Sequence, residues 1–190
     1  MSGRLMIWMT GMMLMLGSLL PVSAQRQHSD TADDVLQYVP YASVFALKAC
    51  GVESRDGWTK MALTAAASWV VSAGAGYTLK HTVKEWRPDH TDQKSFPSGH
   101  SLVAFSGATV LHKEFGKVSP WISVAGYGLA TCVAVDRVVH DRHHWYDVAA
   151  GAGIGVVATE LTYFVSDKVF KSDHLAMSFT GNRFDIAIRL

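Results

Sequence analysis

Long uncharged runs alternate with short polar connections along this chain of 190 residues. Beyond an apolar N-terminus, the apolar runs cover residues 35–47, 61–79, 101–111, 118–135 and 148–165. These runs are too long, and too rich in alanine and glycine, to be β-strands. The pattern therefore predicts an all-α protein, a compact bundle of about five helices formed by one domain over residues 25–190.

The N-terminus has the features of a secretory signal peptide. Arg4 supplies the positive charge, residues 5–20 are apolar, and Val22-Ser23-Ala24 is a small-residue cleavage site. We expect residues 1–24 to be removed, which places the mature protein beyond the inner leaflet of a bacterial envelope. The alternative is an uncleaved first membrane helix.

Among the apolar runs beyond the N-terminus, the two longest uncharged ones cover residues 61–79 and 118–135. The first has nineteen residues, and as a helix it would span about 28 Å, close to the hydrocarbon thickness of a bilayer. Gly151 and Gly155 form a small-xxx-small pair of the kind that lets membrane helices pack closely. The short run 101–111 favours instead a soluble bundle with a buried central helix. The pattern as a whole favours an inner-membrane protein, with a soluble periplasmic protein as the alternative.

The predicted order of the helices places three polar segments at one end of the bundle. One helix ends near residues 80–86, and the next begins near Pro97. The turn at residues 112–117 lies at the far end, and the following helix returns to end near Asp136. The last helix begins near Asp147, so up-and-down packing brings the three segments together.

Composition adds three expectations. The formal net charge of +1 gives no reason to expect a nucleic-acid partner. The helix order separates Cys50 from Cys132 by roughly 20 Å at 1.5 Å per residue. A disulfide needs Cα atoms within about 7 Å, so two free thiols are expected. Residues 178–190 alternate between polar and apolar side chains, which is a strand-like period.

The first polar segment contains Lys80 and Arg87, followed by Pro88. Seven residues make two helical turns, so both cations can share one face. A planar guanidinium can hold two phosphate oxygens, and a lysine adds a point charge. The segment is therefore a candidate phosphate-binding site.

The second segment, Pro97-Ser98-Gly99-His100, opens an apolar helix. The first turn of a helix has free N–H groups and the positive end of the dipole, which together attract anions. Gly99 allows close approach of the backbone, and the Ser98 hydroxyl can donate a hydrogen bond. His100 can act as a general acid near neutral pH.

The third segment contains Arg137, His143 and Asp147. His143 and Asp147 are four residues apart and can share a helix face. A carboxylate on one ring nitrogen fixes the tautomer and leaves the other nitrogen as a nucleophile. The alternative is a metal site, although no HExxH or CxxC pattern occurs. Its ligands would be His140, Asp141, His143 and His144.

In this order the three segments resemble the motifs of the phosphatidic acid phosphatase type 2 (PAP2) superfamily, in its bacterial lipid phosphatase and acid phosphatase branch. The resemblance implies that His143 attacks phosphorus, that Asp147 orients it, and that His100 protonates the leaving group. The implied phosphate-binding residues are Lys80, Arg87, Ser98, Gly99 and Arg137. One position departs from the family, which usually has serine where this chain has Asp136. That carboxylate could orient the neighbouring arginine or compete with phosphate for it.

The resemblance implies a phosphatase that works through a phosphohistidine and needs neither metal nor cofactor. The expected partner is a phosphorylated lipid in the membrane, such as lipid A phosphate, undecaprenyl diphosphate or phosphatidylglycerol phosphate, with the active site facing the periplasm. Haloperoxidase activity is not expected, since those relatives are much longer. The alternatives are a soluble, broad-specificity periplasmic acid phosphatase and an inactive envelope protein that binds phosphate or lipid.

Overall fold

The computed structural model describes residues 31–171, 175–180 and 183–188. Within these ranges the chain forms six helices: α1 Thr31–Leu36, α2 Val39–Ala49, α3 Trp58–Thr82, α4 Gly99–Phe115, α5 Pro120–Val139 and α6 Trp145–Lys171. An antiparallel hairpin follows, with β1 at Leu175–Thr180 paired to β2 at Arg183–Ile188. The predicted helical bundle is confirmed, with a hairpin added where the tail alternates. The predicted signal peptide lies outside the described residues.

The first predicted helix is in fact two helices. Within the run 35–47, α1 ends at Leu36 and α2 begins at Val39, with Pro40 in its first turn. Proline has no N–H and its ring clashes with the preceding turn, so it fits the start of a helix and not its interior. The break makes α1 a separate short unit whose acidic first turn is available for other contacts.

Helix α4 forms the centre of the bundle and contacts α2, α3, α5 and α6. Its apolar side chains are buried around most of its circumference, including Leu102, Ala108, Val110 and Phe115. This explains why its apolar run is short, since a helix surrounded by protein has no need to match a bilayer. A buried central helix is what the soluble-bundle alternative expected of this short run, and α4 has that position within a chain whose α5 and α6 are long and apolar enough to span a membrane.

Gly151 and Gly155 bring α6 against the backbone of α4. A Cβ atom at Gly151 would lie 2.4 Å from the carbonyl oxygen of Ser98, and one at Gly155 would lie 2.4 Å from that of Leu102. Real Cβ atoms essentially never approach closer than 3.0 Å, so any side chain here would force the helices apart. The glycine pair recognised in the sequence is therefore a helix–helix contact.

Two of the described helices are long and apolar enough to cross a membrane, Pro120–Val139 and Trp145–Phe170. The sequence predicted that the run 61–79 would also be long enough to span a bilayer. That run lies in α3, which is not one of these two helices. Its alanine, glycine, serine and threonine residues make it uncharged without making it strongly apolar.

Both cysteines are free thiols, as predicted. Cys50 is the residue that caps the C-terminus of α2, and Cys132 lies in α5. Both are exposed. The helix order from which this prediction was made is the one observed.

Candidate active site

The three polar segments meet at one end of the bundle, as the helix order predicted. A cavity of about 510 Å³ opens there between the C-terminal end of α3, the start of α4 and the connection from α5 to α6. Its lining includes Gly99 and, among polar side chains, Lys80, Arg87, His100, Arg137, Arg142 and His143. The structure thus brings together most of the predicted site residues.

His143 is buried and lies in the turn that leads into α6. Its backbone N–H donates to the carbonyl oxygen of Arg137 at 3.1 Å, which folds the turn back on the end of α5. We expected His143 and Asp147 to share a helix face, and this was wrong, because α6 begins only at Trp145. The turn nevertheless keeps the two side chains close.

Burial lowers the pKa of His143 to about 2, and the charges of Arg87 and Lys80 act in the same direction. A low pKa keeps the imidazole neutral across the working range of pH. A neutral ring retains the lone pair that a nucleophile requires.

Asp147 is the third residue of α6 and is fully buried. Its Oδ2 accepts a hydrogen bond from the backbone N–H of His144 at 2.9 Å, as in a capping box, and another from the Ser95 hydroxyl. Oδ2 lies 3.8 Å from Nδ1 of His143, which is beyond a direct hydrogen bond, while Ser95 Oγ lies 3.5 Å from that nitrogen. Asp147 and Ser95 therefore flank the Nδ1 side of the ring, and Nε2 is the nitrogen left for substrate.

Ser98 caps the N-terminus of α4. Its Oγ accepts from the Ser101 backbone N–H at 3.5 Å and from the Ser101 hydroxyl at 3.2 Å. Its own N–H donates to the carbonyl oxygen of Asp147 at 3.0 Å, which joins the start of α4 to α6. Ser98 is fully buried, and its hydrogen bonds hold the start of the helix in place. Gly99 and His100, in the first turn of that helix, line the cavity. Direct donation from the Ser98 hydroxyl to phosphate stays a prediction.

His100 is held by a carboxylate from α1. Its Nε2 lies 2.8 Å from Oδ1 of Asp34. Burial and the charge of Arg137 lower the pKa of His100, while Asp34 and then Asp33 oppose the shift. Acidic solution therefore favours the protonated form that a general acid needs.

Lys80 secures the loop that precedes α4. Its ammonium group donates to the carbonyl oxygens of Lys94 and Pro97, each at 2.9 Å. Burial and the nearby charge of Arg87 lower the pKa of Lys80 to about 8. Lys80 therefore stays largely charged at neutral pH, at the wall of the cavity.

Two arginines of the cavity lining are held by acidic or carbonyl partners. Arg87 donates from Nε to Oδ1 of Asp92 at 2.9 Å and from Nη1 to the carbonyl oxygen of Arg142 at 3.1 Å. Arg142 itself donates to Oδ2 of Asp89 at 3.1 Å. The sequence analysis missed Arg142, and its position beside His143 was the available signal.

Arg137 forms a buried ion pair with Asp33 of α1. Its Nη1 lies 2.7 Å from Oδ2 of Asp33, and the two side chains are 2% and 5% exposed. At Asp136, where the family usually has serine, Oδ1 lies 3.1 Å from Nδ1 of His140. The effect of this carboxylate on the neighbouring arginine stays a prediction.

A metal site requires several donor side chains around one point. Across residues 31–171 and the two strands, no group of three or more His, Cys, Asp or Glu side chains is arranged to hold a metal ion. His140 contacts Asp136, and His144 stacks on Tyr146 with ring centroids 4.9 Å apart. The positive charge of this cavity comes from lysine and arginine, which favours a tetrahedral anion as the ligand.

Comparison with known proteins agrees with this chemistry. The family model of the PAP2 superfamily matches residues 58–171. The chain belongs to the PAP2 superfamily. The matched segment runs from α3 through α6 and contains all three polar segments, whereas α1 and α2 precede it.

Two of the curated relatives are named as lipid phosphatases. The chain is 38% identical over 140 residues to lipid A 1-phosphatase of Porphyromonas gingivalis, covering 73% of this chain and 32% of that protein. It is 41% identical over 81 residues to lipid phosphate phosphatase 1 of Arabidopsis thaliana, covering 37% of this chain and 25% of that protein. The chain thus spans about a third or less of the length of these two relatives.

A solved structure shows the same fold. The crystal structure of Aquifex aeolicus LpxE matches with a TM-score of 0.55 at 21% sequence identity. The match covers 74% of this chain and 88% of that one. The PAP2 fold expected from the resemblance is therefore confirmed.

Proposed function

We propose that this protein is a metal-independent phosphatase of the bacterial inner membrane that hydrolyses a phosphorylated lipid at the periplasmic face. The observation that carries the proposal is a buried histidine in a cavity lined by four cationic side chains. These are Lys80, Arg87, Arg137 and Arg142. A phosphoryl group needs charge stabilisation and in-line positioning more than any other catalytic help, and the cationic lining supports the first of these.

In the proposed reaction, Nε2 of His143 attacks phosphorus while the bond from phosphorus to the leaving oxygen breaks. His100 donates its proton to that oxygen, and the phosphoryl group remains on His143. Water then attacks the phosphohistidine, His100 takes a proton from the water, and inorganic phosphate leaves. The cations stabilise the charge on the equatorial oxygens throughout.

The surface supports a membrane-embedded enzyme. Exposed aromatic side chains lie near both ends of the bundle: Tyr38, Tyr77, Trp86 and Trp145 at the cavity end, Trp58 and Trp121 at the other. Exposed aliphatic and aromatic residues lie between them on α5 and α6, including Val124, Val135, Leu161 and Phe164. Tryptophan and tyrosine at two levels with an apolar band between them is the pattern of membrane interfaces. The 20 residues of α5 span about 30 Å as a helix, which matches that band.

A lipid substrate is consistent with this placement. The cavity would open at the level of the lipid headgroups, where a phosphate attached to an acyl-chain anchor can enter from the side. The activities named for the two curated relatives point to the same substrate class. The periplasmic orientation rests on the predicted signal peptide and on lysines and arginines at the opposite end, such as Arg55, Lys60 and Lys113.

A substrate panel tests the proposal. The full chain, purified in detergent, is given lipid A, undecaprenyl diphosphate, phosphatidylglycerol phosphate and a soluble alkyl phosphate, each with and without EDTA. We expect phosphate release from at least one lipid, undiminished by EDTA and inhibited by vanadate, which mimics the five-coordinate transition state.

Three other results would each point elsewhere. Loss of activity in EDTA that zinc restores would establish a metal enzyme. Release from the soluble ester alone would establish a broad-specificity acid phosphatase. Wild-type release no higher than that of His143→Ala would indicate an inactive binding protein.

A further inference from the structure

Helix α1 lies outside the segment matched to the family, yet its carboxylates contact two residues of the site. Asp34 Oδ1 lies 2.8 Å from Nε2 of His100, and Asp33 Oδ2 lies 2.7 Å from Nη1 of Arg137. The two acids are consecutive, so one turn of helix reaches both the second and the third polar segment. None of the three motifs requires this contact.

The two pairs differ in burial, and the difference suggests different tasks. Asp33 and Arg137 are almost completely buried, so their ion pair fixes the position of α1 against α5. Asp34 is 60% exposed, whereas the His100 side chain is 18% exposed. A carboxylate in contact with water can hold the imidazole without a large desolvation cost.

We propose that Asp34 is a positioning residue for His100, so that α1 completes the general-acid half of the active site. The inference rests on the function proposed above. Asp34 holds Nε2 and leaves Nδ1 to donate its proton to the departing oxygen. The arrangement parallels that of the nucleophile, where Asp147 and Ser95 flank one nitrogen of His143.

The charges around His100 determine what Asp34 contributes. The charge of Arg137 in α5 disfavours the protonated form of His100. The other charged or titratable groups on this side of the cavity are Lys80 of α3, Arg87, Arg142 and His143. Asp34 and Asp33 of α1 oppose these charges. Removing the charge of Asp34 should therefore lower the pKa of His100 further. Because His100 must be protonated to donate, kcat/KM should then decline at a lower pH than in the wild type.

The experiment compares Asp34→Asn and Asp34→Glu in the full chain in detergent. Two soluble substrates are used: 4-nitrophenyl phosphate, whose leaving group needs little protonation, and an alkyl phosphate, whose leaving group needs it. For Asp34→Asn we expect kcat with the alkyl ester to fall about tenfold or more, with a much smaller loss for the aryl ester. Asp34→Glu should recover most of the lost rate. Glu53→Gln, an exposed acid in the connection before α3, is the control and should behave as wild type.

Two outcomes overturn the proposal. Equal losses on both substrates with an unchanged pH profile would show that Asp34 only supports the fold. A higher kcat, or tighter inhibition by inorganic phosphate, would show that the carboxylate obstructs the anion site.

His143→Ala and His100→Ala are measured in parallel to separate this inference from the proposed function. If His143→Ala is as active as wild type, the proposed function fails and this inference falls with it. If His100→Ala shows the leaving-group dependence and Asp34→Asn does not, only this inference fails.

Discussion

Replacing Gly151 with alanine tests whether the contact between α4 and α6 sets the catalytic geometry. The new Cβ would lie 2.4 Å from the carbonyl oxygen of Ser98 and 3.3 Å from the backbone nitrogen of Leu102. Ordinary contact begins near 3.4 Å, so the two helices must separate by about 1 Å. The obstacle is backbone, which cannot rotate away as a flexible side chain would.

The part of α4 that would move is its first turn, which is capped by Ser98 and contains His100. Ser98 donates to the carbonyl oxygen of Asp147 at 3.0 Å, and a shift of about 1 Å takes that bond beyond hydrogen-bonding range. His100 follows two residues later and would move away from His143. Overpacking costs about 1–3 kcal/mol of stability, whereas a misplacement of about 1 Å in a reacting group can cost about 100-fold in rate. We therefore expect kcat to fall about 100-fold in a protein that still folds.

The assay is steady-state hydrolysis of a soluble alkyl phosphate, whose leaving group needs protonation, with thermal unfolding followed in the same detergent. Gly153→Ala is the matched control, since it lies on the same helix and its Cβ would meet nothing within 4 Å. That variant should keep its activity and gain up to about 1 kcal/mol from helix propensity. A Gly151→Ala protein with wild-type kcat would refute the argument that this close approach positions the site.

Three further predictions follow from the site and the helix order. His143→Ala should abolish turnover, and quenched wild-type enzyme should carry an acid-labile phosphate; an undiminished label in the variant would reject His143 as the nucleophile. kcat/KM should decline as the pH rises through the lowered pKa of His100, while His143 stays neutral down to acidic pH; a rate that climbs through the neutral range would contradict this. The mass of the non-reduced protein should correspond to free thiols at Cys50 and Cys132, and a bridge between them would contradict the helix order.

The sequence alone determined the helices, their order and most of the cavity lining. These features depend on local signals: apolar runs long enough for helices, Pro97 and Ser98 at a helix start, and paired glycines where two helices touch. Helix order then follows from short connections, so Lys80, Arg87, Gly99, His100, Arg137 and His143 could be assigned to one end before any coordinates were known. The run 35–47 contains Pro40 but was predicted as one helix, so the boundary between α1 and α2 was missed.

Tertiary structure alone decided how these side chains are held. Asp33 and Arg137 are 104 residues apart, and no periodicity connects them. Ser95 beside His143, the buried capping role of Ser98 and the position of His143 ahead of α6 likewise depend on how the connections fold over the helix ends. Local patterns report the conformation of one segment, whereas an ion pair or a hydrogen bond between distant segments requires the packing that brings them within about 3 Å.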